Sequence, residues 1–317
     1  MMKKCLFILA AVACCACSKG VTGSCEGKNE VVELSFSVPV AATKASGTVA
    51  ESEVESLQIF VFGTDGQVQS SGMADGNSLT LTCTTGEKRV AAVVNSPALD
   101  GIDNIGEFEA RMSDFADNSL GRFVMSGLQT KSLQASGPVE ISVSRLVSKV
   151  TLSSVTRSFK LQQHQEMDFE VLSVFLTNVP EQIGYHNSLQ SATLINEGET
   201  DMNVIALSGD LLYDNLGAVP VAQNATAEFG NFLYCYPNQL DDFAKSAYLV
   251  AQTRLGDGIY YYSVKIPQME SNKCYNVSLT VTMPGSMTPD VPVQKEDAVF
   301  SVVVSDWAEN IEVNETI

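Results

Sequence analysis

Apolar side chains recur at every second position along much of this chain, and a two-residue period is the signature of β-strands. Residues 31–40 show it most clearly, because polar or small side chains separate five apolar ones. The apolar residues are Val32, Leu34, Phe36, Val38 and Val40. Successive side chains of a strand point to opposite faces, so this segment is predicted to be a strand with one buried face. Pro39 cannot donate a ladder hydrogen bond, and we therefore expect the strand to lie at a sheet edge or to leave the sheet near its end.

Segments of strand length follow at short intervals, whereas helical patterns are few. The strand-like runs that stand out are 56–62, 78–84, 88–95, 139–155, 169–179, 247–255, 259–267, 274–285 and 298–307. Residues 101–120 carry the best helical pattern of the first half, and Gly256 to Gly258 should form the turn of a hairpin. Many short strands separated by turns predict an all-β fold with two sandwiches in tandem. The boundary is expected near residues 145–149, where no linker interrupts the chain.

The first seventeen residues have the features of an export signal. Two lysines precede an apolar run from Leu6 to Ala13, which is too short to span a bilayer. Three cysteines follow at positions 14, 15 and 17, and a cysteine at the cleavage point is typical of lipoproteins, in which its thiol is acylated. Cys17 is the predicted lipidation site and Cys14 the alternative. A plain signal peptide would share the charge and the apolar run but would not account for the cysteine cluster.

The charge balance excludes classes of partner without naming one. The 317 residues carry a formal net charge of −18, which repels nucleic acid and anionic lipid headgroups. No apolar stretch after the N-terminal run approaches the roughly 20 residues of a membrane helix. We therefore expect no nucleic-acid partner.

Cysteines after the signal are too few for a disulfide scaffold. They are Cys25, Cys83, Cys235 and Cys274. No Cys-x-x-Cys pair occurs beside a histidine, so no metal site is predicted. Apolar surroundings indicate that Cys83 and Cys235 are buried small side chains, and a disulfide among the last three cysteines is left open.

Motifs of catalysis are absent from the sequence. There is no G-x-S-x-G elbow, phosphate-binding glycine loop or dinucleotide fingerprint. We predict that the protein is not an enzyme and needs no cofactor. The alternative is a hydrolase whose carboxylates come from positions distant in sequence, because such pairs leave no local motif.

Several segments, taken in order, resemble one protein family. They are the cysteine-bearing N-terminus, the alternating strand 31–40, "ATKA", "ESEVESLQIFVF", "GEKRVAAVVN", "FVMSG", "VSRLVSKVTL", "NKCYNVSLTVT" and the terminal "VSDWAENIEVNETI". In this order they resemble the fimbrillins, the type V pilins of Bacteroidetes. The similarity spans essentially the whole chain, and its order and its two ends carry more weight than any single motif.

The resemblance implies a particular domain organisation. Two transthyretin-like, Greek-key β-sandwich domains follow a lipoprotein signal peptide. The implied division is a signal peptide at 1–16, a propeptide with the first strand at 17–44, an N-terminal domain at 45–146 and a C-terminal domain at 147–317.

The resemblance also implies a mode of assembly. A trypsin-like extracellular protease cuts after a basic residue in the loop that follows the first strand, and this strand leaves its groove. The C-terminal strands of another subunit then fill the groove. The matching cut here lies between Lys44 and Ala45, the removed strand is the one with Val32, Leu34, Phe36, Val38 and Val40, and the donor is 298–317. The matching donor positions are Val299, Val303, Trp307, Ile311 and Val313. The family's usual residue at the cut is arginine, so Lys44 leaves the identity of the protease open.

The implied function is that of a structural pilus subunit, delivered to the outer membrane as a lipoprotein and then built into a cell-surface fimbrium that supports adhesion. Its implied partners are copies of itself, other fimbrial subunits, the protease and a receptor that the sequence does not identify. A stalk, tip or anchor position is open. The alternative is a monomeric glycan-binding surface lipoprotein, which would expose loop aromatics such as Tyr185, Tyr260, Tyr261 and Tyr262.

Overall fold

The structure is a computed structural model that describes residues 30–39, 51–186, 189–240, 242–294 and 297–307. Strands account for 52% and helices for 7%, so the predicted all-β class is confirmed. Among the described residues, no helix is long and apolar enough to cross a membrane.

The first half of the described chain contains nine strands, and the first of them starts one residue after the described chain begins. They are β1 (Val31–Ser37), β2 (Ser56–Phe62), β3 (Val68–Asp75), β4 (Ser78–Thr84), β5 (Gly86–Val94), β6 (Met112–Asp114), β7 (Met125–Leu133), β8 (Val139–Glu140) and β9 (Ser144–Arg145). A short helix, α1 (Ile105–Glu109), and a 3-10 turn at Phe115–Asp117 lie between them.

The second half continues with strands and two more short helices. The strands are β10 (Ser148–Arg157), β11 (Phe169–Thr177), β12 (Val179–Pro180), β13 (Gln182–Gly184), β14 (Leu194–Ile195), β15 (Tyr213–Pro220), β16 (Thr226–Glu228), β17 (Leu233–Cys235), β18 (Tyr248–Leu255), β19 (Gly258–Lys265), β20 (Lys273–Val281) and β21 (Ala298–Asp306). The helices are α2 (Gln162–Gln165) and α3 (Met202–Ala206), with a 3-10 turn at Phe243–Lys245.

In the first half, two sheets enclose a hydrophobic core. One sheet has the strand order β3-β2-β5-β7-β9 and the other the order β4-β1-β8. Leu57, Ile59 and Val61 of β2 face β1 across this core. The alternate residues Phe60 and Phe62 point to the opposite face, where Phe108 of α1 packs 6.0 Å from each ring. The run 56–62 is nearly continuously apolar because β2 is buried on both faces.

The second half is built in the same way. The sheet β16-β10-β20-β21, in which β17 also pairs with β10, packs against the sheet β15-β11-β18-β19. The predicted hairpin is confirmed, since β18 and β19 pair from Tyr248↔Lys265 to Leu255↔Gly258. Gly256 occupies its turn with a φ of 58°, a left-handed conformation that favours glycine.

The five-stranded sheet of the first half uses the face turned away from β1 to share an apolar core with the second half. Only Leu146 and Val147 separate β9, in a sheet of the first half, from β10, in a sheet of the second. A short antiparallel ladder between β6 and β13 also joins the halves. The buried hydroxyl of Tyr236 pairs at 2.8 Å with the Ser113 hydroxyl and accepts a hydrogen bond of 2.9 Å from Asn118. These contacts join the two halves through both packing and hydrogen bonds.

One local prediction is wrong, and another holds in only one of its two forms. Residues 101–120 form only the five-residue α1, then β6 and a 3-10 turn, because Ser113 and its neighbours pair with β13 instead of continuing a helix. The first strand is not at an edge, since β1 lies between β4 and β8. β1 ends at Ser37, before Pro39, which agrees with the expectation that the strand leaves the sheet near this proline.

Candidate functional site

β1 is held along one edge and over its inner face. It pairs with β4 over all seven residues, from Val31↔Thr84 to Ser37↔Ser78. The inner face is buried, with Phe36 fully inaccessible, whereas Val31 is 69% exposed. The buried side chains on that face are Val32, Leu34, Phe36 and Val38. The predicted buried face is therefore confirmed for these four residues.

The other edge of β1 is largely open. β8 runs parallel to it but pairs only at Phe36↔Val139 and Ser37↔Glu140. A cavity of about 400 Å³ lies beside the remaining part of this edge, with Leu34, Leu133 and Val139 among its lining residues. β1 is thus paired fully on one side and only at its end on the other, within the described residues.

The neighbours of β1 form an apolar groove around it. They are Leu57, Ile59, Val90, Ala92, Met125, Leu133 and Ile141. Burial of four apolar side chains stabilises the fold by about 6–12 kcal/mol in transfer free energy, before the entropy of ordering the strand is subtracted. Without β1 the groove would expose these residues and the unpaired edge of β4.

β21 is the edge strand at the other end of the described chain. It pairs with β20 over nine residues, from Lys273↔Asp306 to Val281↔Ala298, and has no neighbour on its outer side among the described residues. Val299 and Val303 are 62% and 61% exposed on one face. Phe300 and Val304 on the other face are 39% and 50% exposed. Apolar side chains exposed on both faces of an edge strand leave a surface to which a further strand can add.

Trp307 follows β21 and differs from the other predicted donor residues. It is buried, and its indole Nε1 donates a hydrogen bond of 2.8 Å to the Glu51 carboxylate. Glu51 in turn is the first described residue after the segment that contains Lys44. No local sequence pattern indicates Glu51 as a site residue, because its partner Trp307 lies 256 positions away.

Several predicted site residues lie outside the described residues. They are Cys17, Val40, Lys44, Ala45, Ile311 and Val313. Their roles stay predictions, as do the removal of β1 and the domain boundaries.

The described cysteines carry free thiols. Cys83 and Cys235 are buried, as predicted, and Cys274 is half-buried. Burial raises the pKa of all three thiols. Among the described residues, no group of three or more histidine, cysteine or acidic side chains is arranged to hold a metal ion.

The first half of the chain matches a known protein family. Residues 32–154 match the family model of the major fimbrial subunit protein, FimA. The resemblance to the fimbrillins is confirmed. The matched segment begins in β1 and ends in β10, so the fimbrillin match includes β1 and its groove but not β21. No curated protein matches the chain by sequence.

Solved structures share the fold of nearly the whole chain. A fimbrilin, FimA, from Porphyromonas gingivalis W83 is 16% identical over 87% of this chain and 97% of its own, with a TM-score of 0.61. A candidate cell adhesion protein from Parabacteroides distasonis is 16% identical over 89% of this chain and 100% of its own, also with a TM-score of 0.61. The tip fimbrial protein Mfa3 from P. gingivalis, with a C-terminal truncation, is 13% identical over 88% of this chain and 100% of its own, with a TM-score of 0.50. At these identities the likeness shows a common fold.

Proposed function

We propose that this protein is a structural subunit of a cell-surface fimbria, exported as a lipoprotein and polymerised by exchange of strands between copies. The observation that carries the proposal is β21, an edge strand near the C-terminus with exposed apolar residues on both faces. An exposed apolar edge invites pairing with another chain, and a polymer would cover it at each junction between subunits.

The acceptor in this proposal is the groove around β1. β1 comes first in the described chain and is joined to β2 through the segment that contains Lys44. Lys44 is the only basic residue between Val31 and Lys88, so a protease of tryptic specificity has one target there. A cut between Lys44 and Ala45 would free β1 from the rest of the chain. The vacated groove then binds a strand from the C-terminal segment 298–317 of another copy.

This arrangement produces a filament. The donor segment and the acceptor groove are different surfaces of one subunit, so each contact is heterologous. A heterologous contact repeats head to tail without closing unless its rotation forms a ring. Fimbrial subunits are therefore its partners, with the protease acting once on each copy.

The aromatic residues that the glycan-binding alternative requires do not support it. Tyr185, Tyr261 and Tyr262 are buried, and Tyr260 is half-buried. The rings of the three buried tyrosines pack in the interior, where a sugar cannot stack on them.

The test is the variant Lys44→Ala, with Lys28→Ala as the matched control. Lys28 precedes β1, so loss of a cut there leaves the release of β1 unaffected. We expect Lys44→Ala to give a folded protein that forms no filaments by electron microscopy after protease treatment. The parent and Lys28→Ala should assemble, with a mature N-terminus at Ala45. Filaments from Lys44→Ala would contradict cleavage at this residue as the trigger.

A further inference from the structure

The carboxylate of Glu51 accepts hydrogen bonds from residues in distant parts of the chain. Its Oε1 accepts hydrogen bonds of 2.8 Å from Lys149 Nζ and 2.7 Å from the Tyr234 hydroxyl. Its Oε2 accepts the bond of 2.8 Å from Trp307 Nε1. Three donors on β10, on β17 and after β21 therefore hold one carboxylate.

The backbone around Glu51 is held as well. Its carbonyl oxygen accepts a hydrogen bond of 2.9 Å from Arg145 Nε, and Arg145 also donates to the side chains of Ser52 and Asn272. The Asn272 carbonyl accepts the backbone N–H of Trp307 at 3.2 Å. Glu51 and Trp307 are thus connected both directly and through Arg145 and Asn272.

The indole ring of Trp307 fills an aromatic and cationic pocket. It stacks on Tyr234 at a centroid distance of 5.7 Å and meets Phe123 edge-on at 5.9 Å. The guanidinium of Arg145 lies 4.6 Å from the ring centroid. A buried tryptophan with its N–H paired and its ring faces covered is a strong anchor for the chain that carries it.

We propose that Glu51 is the positioning residue of the C-terminal segment: by holding Trp307, it keeps residues 298–307 on their own subunit, so that only residues 308–317 pass to a second copy of this chain. The inference rests on the proposed function and shortens the proposed donor segment from 298–317 to 308–317. Val299 and Val303 then belong to a surface covered by the neighbouring copy, while Ile311 and Val313 enter its groove.

The lengths of the segments agree with this division. Ten residues in a strand would span about 33 Å at about 3.3 Å per residue, whereas the seven residues of β1 need about 23 Å. The ten terminal residues are therefore long enough to replace β1 without any part of β21.

The contact between Glu51 and Trp307 would also be kept after the proposed cleavage. Six residues, 45–50, separate the new N-terminus from Glu51, so the cut removes β1 but leaves Glu51 in the mature subunit. The point from which the C-terminal segment leaves the subunit is then the same before and after processing.

The first experiment tests whether Glu51 holds Trp307. Trp307 is the only tryptophan, so the intrinsic fluorescence of the full chain reports its surroundings alone. We expect Glu51→Ala to shift the emission to longer wavelength and to increase quenching by acrylamide. Glu51→Gln, which can still accept the indole bond, should fall between the parent and Glu51→Ala. Glu53→Gln, an exposed residue two positions further on, is the matched control and should equal the parent. Emission and quenching unchanged in both Glu51 variants would overturn the role of Glu51.

The second experiment tests whether β21 stays on its own subunit. Ser305 lies directly opposite Cys274 in the β20–β21 ladder, so Ser305→Cys can form a disulfide with the native cysteine after treatment with oxidised glutathione. Ser301→Cys lies opposite Ser278, has no cysteine partner in the ladder, and is the matched control. We expect the oxidised Ser305→Cys protein, once trimmed by protease, to form filaments as the control does.

The two results separate the inference from the function on which it rests. Oxidised Ser305→Cys that fails to assemble, while its reduced form assembles, would overturn the inference, because β21 would have to leave β20. Failure of the parent and of every variant to assemble would contradict strand exchange itself, and the fluorescence result would still decide whether Glu51 anchors Trp307.

Discussion

Phe36 illustrates how one buried side chain links the stability of the subunit to its proposed assembly. It is fully inaccessible in the groove around β1, whereas Val31, on the other face of the same strand, is 69% exposed. We expect Phe36→Ala to lower the free energy of unfolding by about 3–5 kcal/mol, because it leaves a cavity in the core. Val31→Ala should change it by no more than about 0.5 kcal/mol. Urea unfolding of the uncleaved chain measures both, and equal losses would contradict the facing of β1.

Glu51 gives the protein an acid-sensitive contact. Burial alone would raise the pKa of its carboxyl, but the hydrogen bonds from Lys149, Tyr234 and Trp307 and the charge of Lys149 outweigh burial and lower it. A group whose pKa is lowered by folding stabilises the fold fully above its unfolded pKa, about 4.3 for glutamate, and loses this contribution as the pH falls through the folded pKa.

The expected result is a difference in stability that depends on pH. The parent should be more stable than Glu51→Gln near neutral pH, and this difference should shrink as the pH falls below about 4. Urea midpoints across a pH series measure it, with Glu53→Gln as the control that follows the parent throughout. A difference that is constant down to the acid unfolding of the parent would show that the ionised carboxylate does not act in this way.

At the scale of elements, the sequence predicted the strands well, but the helical pattern of residues 101–120 was misleading. The alternation in 31–40 correctly indicated β1, because a strand half-buried in a core needs a period of two. In 101–120, Phe108 and Phe115 have helical spacing, but each packs separately while β6 pairs with β13 between them. A strand seventy positions away decided this segment, and no window of local sequence contains that information. The sequence did not predict β3, because its small and polar residues show no alternation of hydrophobicity.

The C-terminal element provides a test of assembly. Deletion of residues 308–317 removes the proposed donor but leaves Trp307, β21 and the described core in place. We expect the shortened chain to fold and to accept a strand but not to donate one. Mixed in small amounts with intact, trimmed subunits, it should cap growing filaments and shorten them. Length distributions by electron microscopy at several mixing ratios measure this, and lengths independent of the ratio would contradict the C-terminal segment as donor.

At the scale of the whole molecule, the two halves share one apolar core, which lies on the side of the first five-stranded sheet that faces away from β1. Phe123 packs 4.7 Å from Tyr234, and Phe115 packs 5.3 Å from Tyr236, each pair joining the two halves of the chain. Close packing of this kind transmits strain, so these contacts would pass a load from one half of the subunit to the other in a fibre.

Export of the whole molecule is predicted to depend on Cys17. Cys17→Ser should prevent attachment of lipid and lower delivery to the cell surface, because the thiol is the acyl acceptor in the lipoprotein reading of the N-terminus. Metabolic labelling with a radioactive fatty acid measures this, and Cys14→Ser is the matched control. Full labelling of Cys17→Ser together with loss of label in Cys14→Ser would move the site to Cys14.

The sequence by itself determined the all-β class, the buried face of β1, the hairpin of β18 and β19 and the resemblance to the fimbrillins. All of these depend on the period of side chains, on turn chemistry or on the order of segments along the chain. Only the tertiary structure decided that β1 lies inside its sheet, that β21 is an exposed edge and that Glu51 meets Trp307. Such contacts join positions far apart in the chain, and their energy arises only when folding brings the partners together and removes them from water.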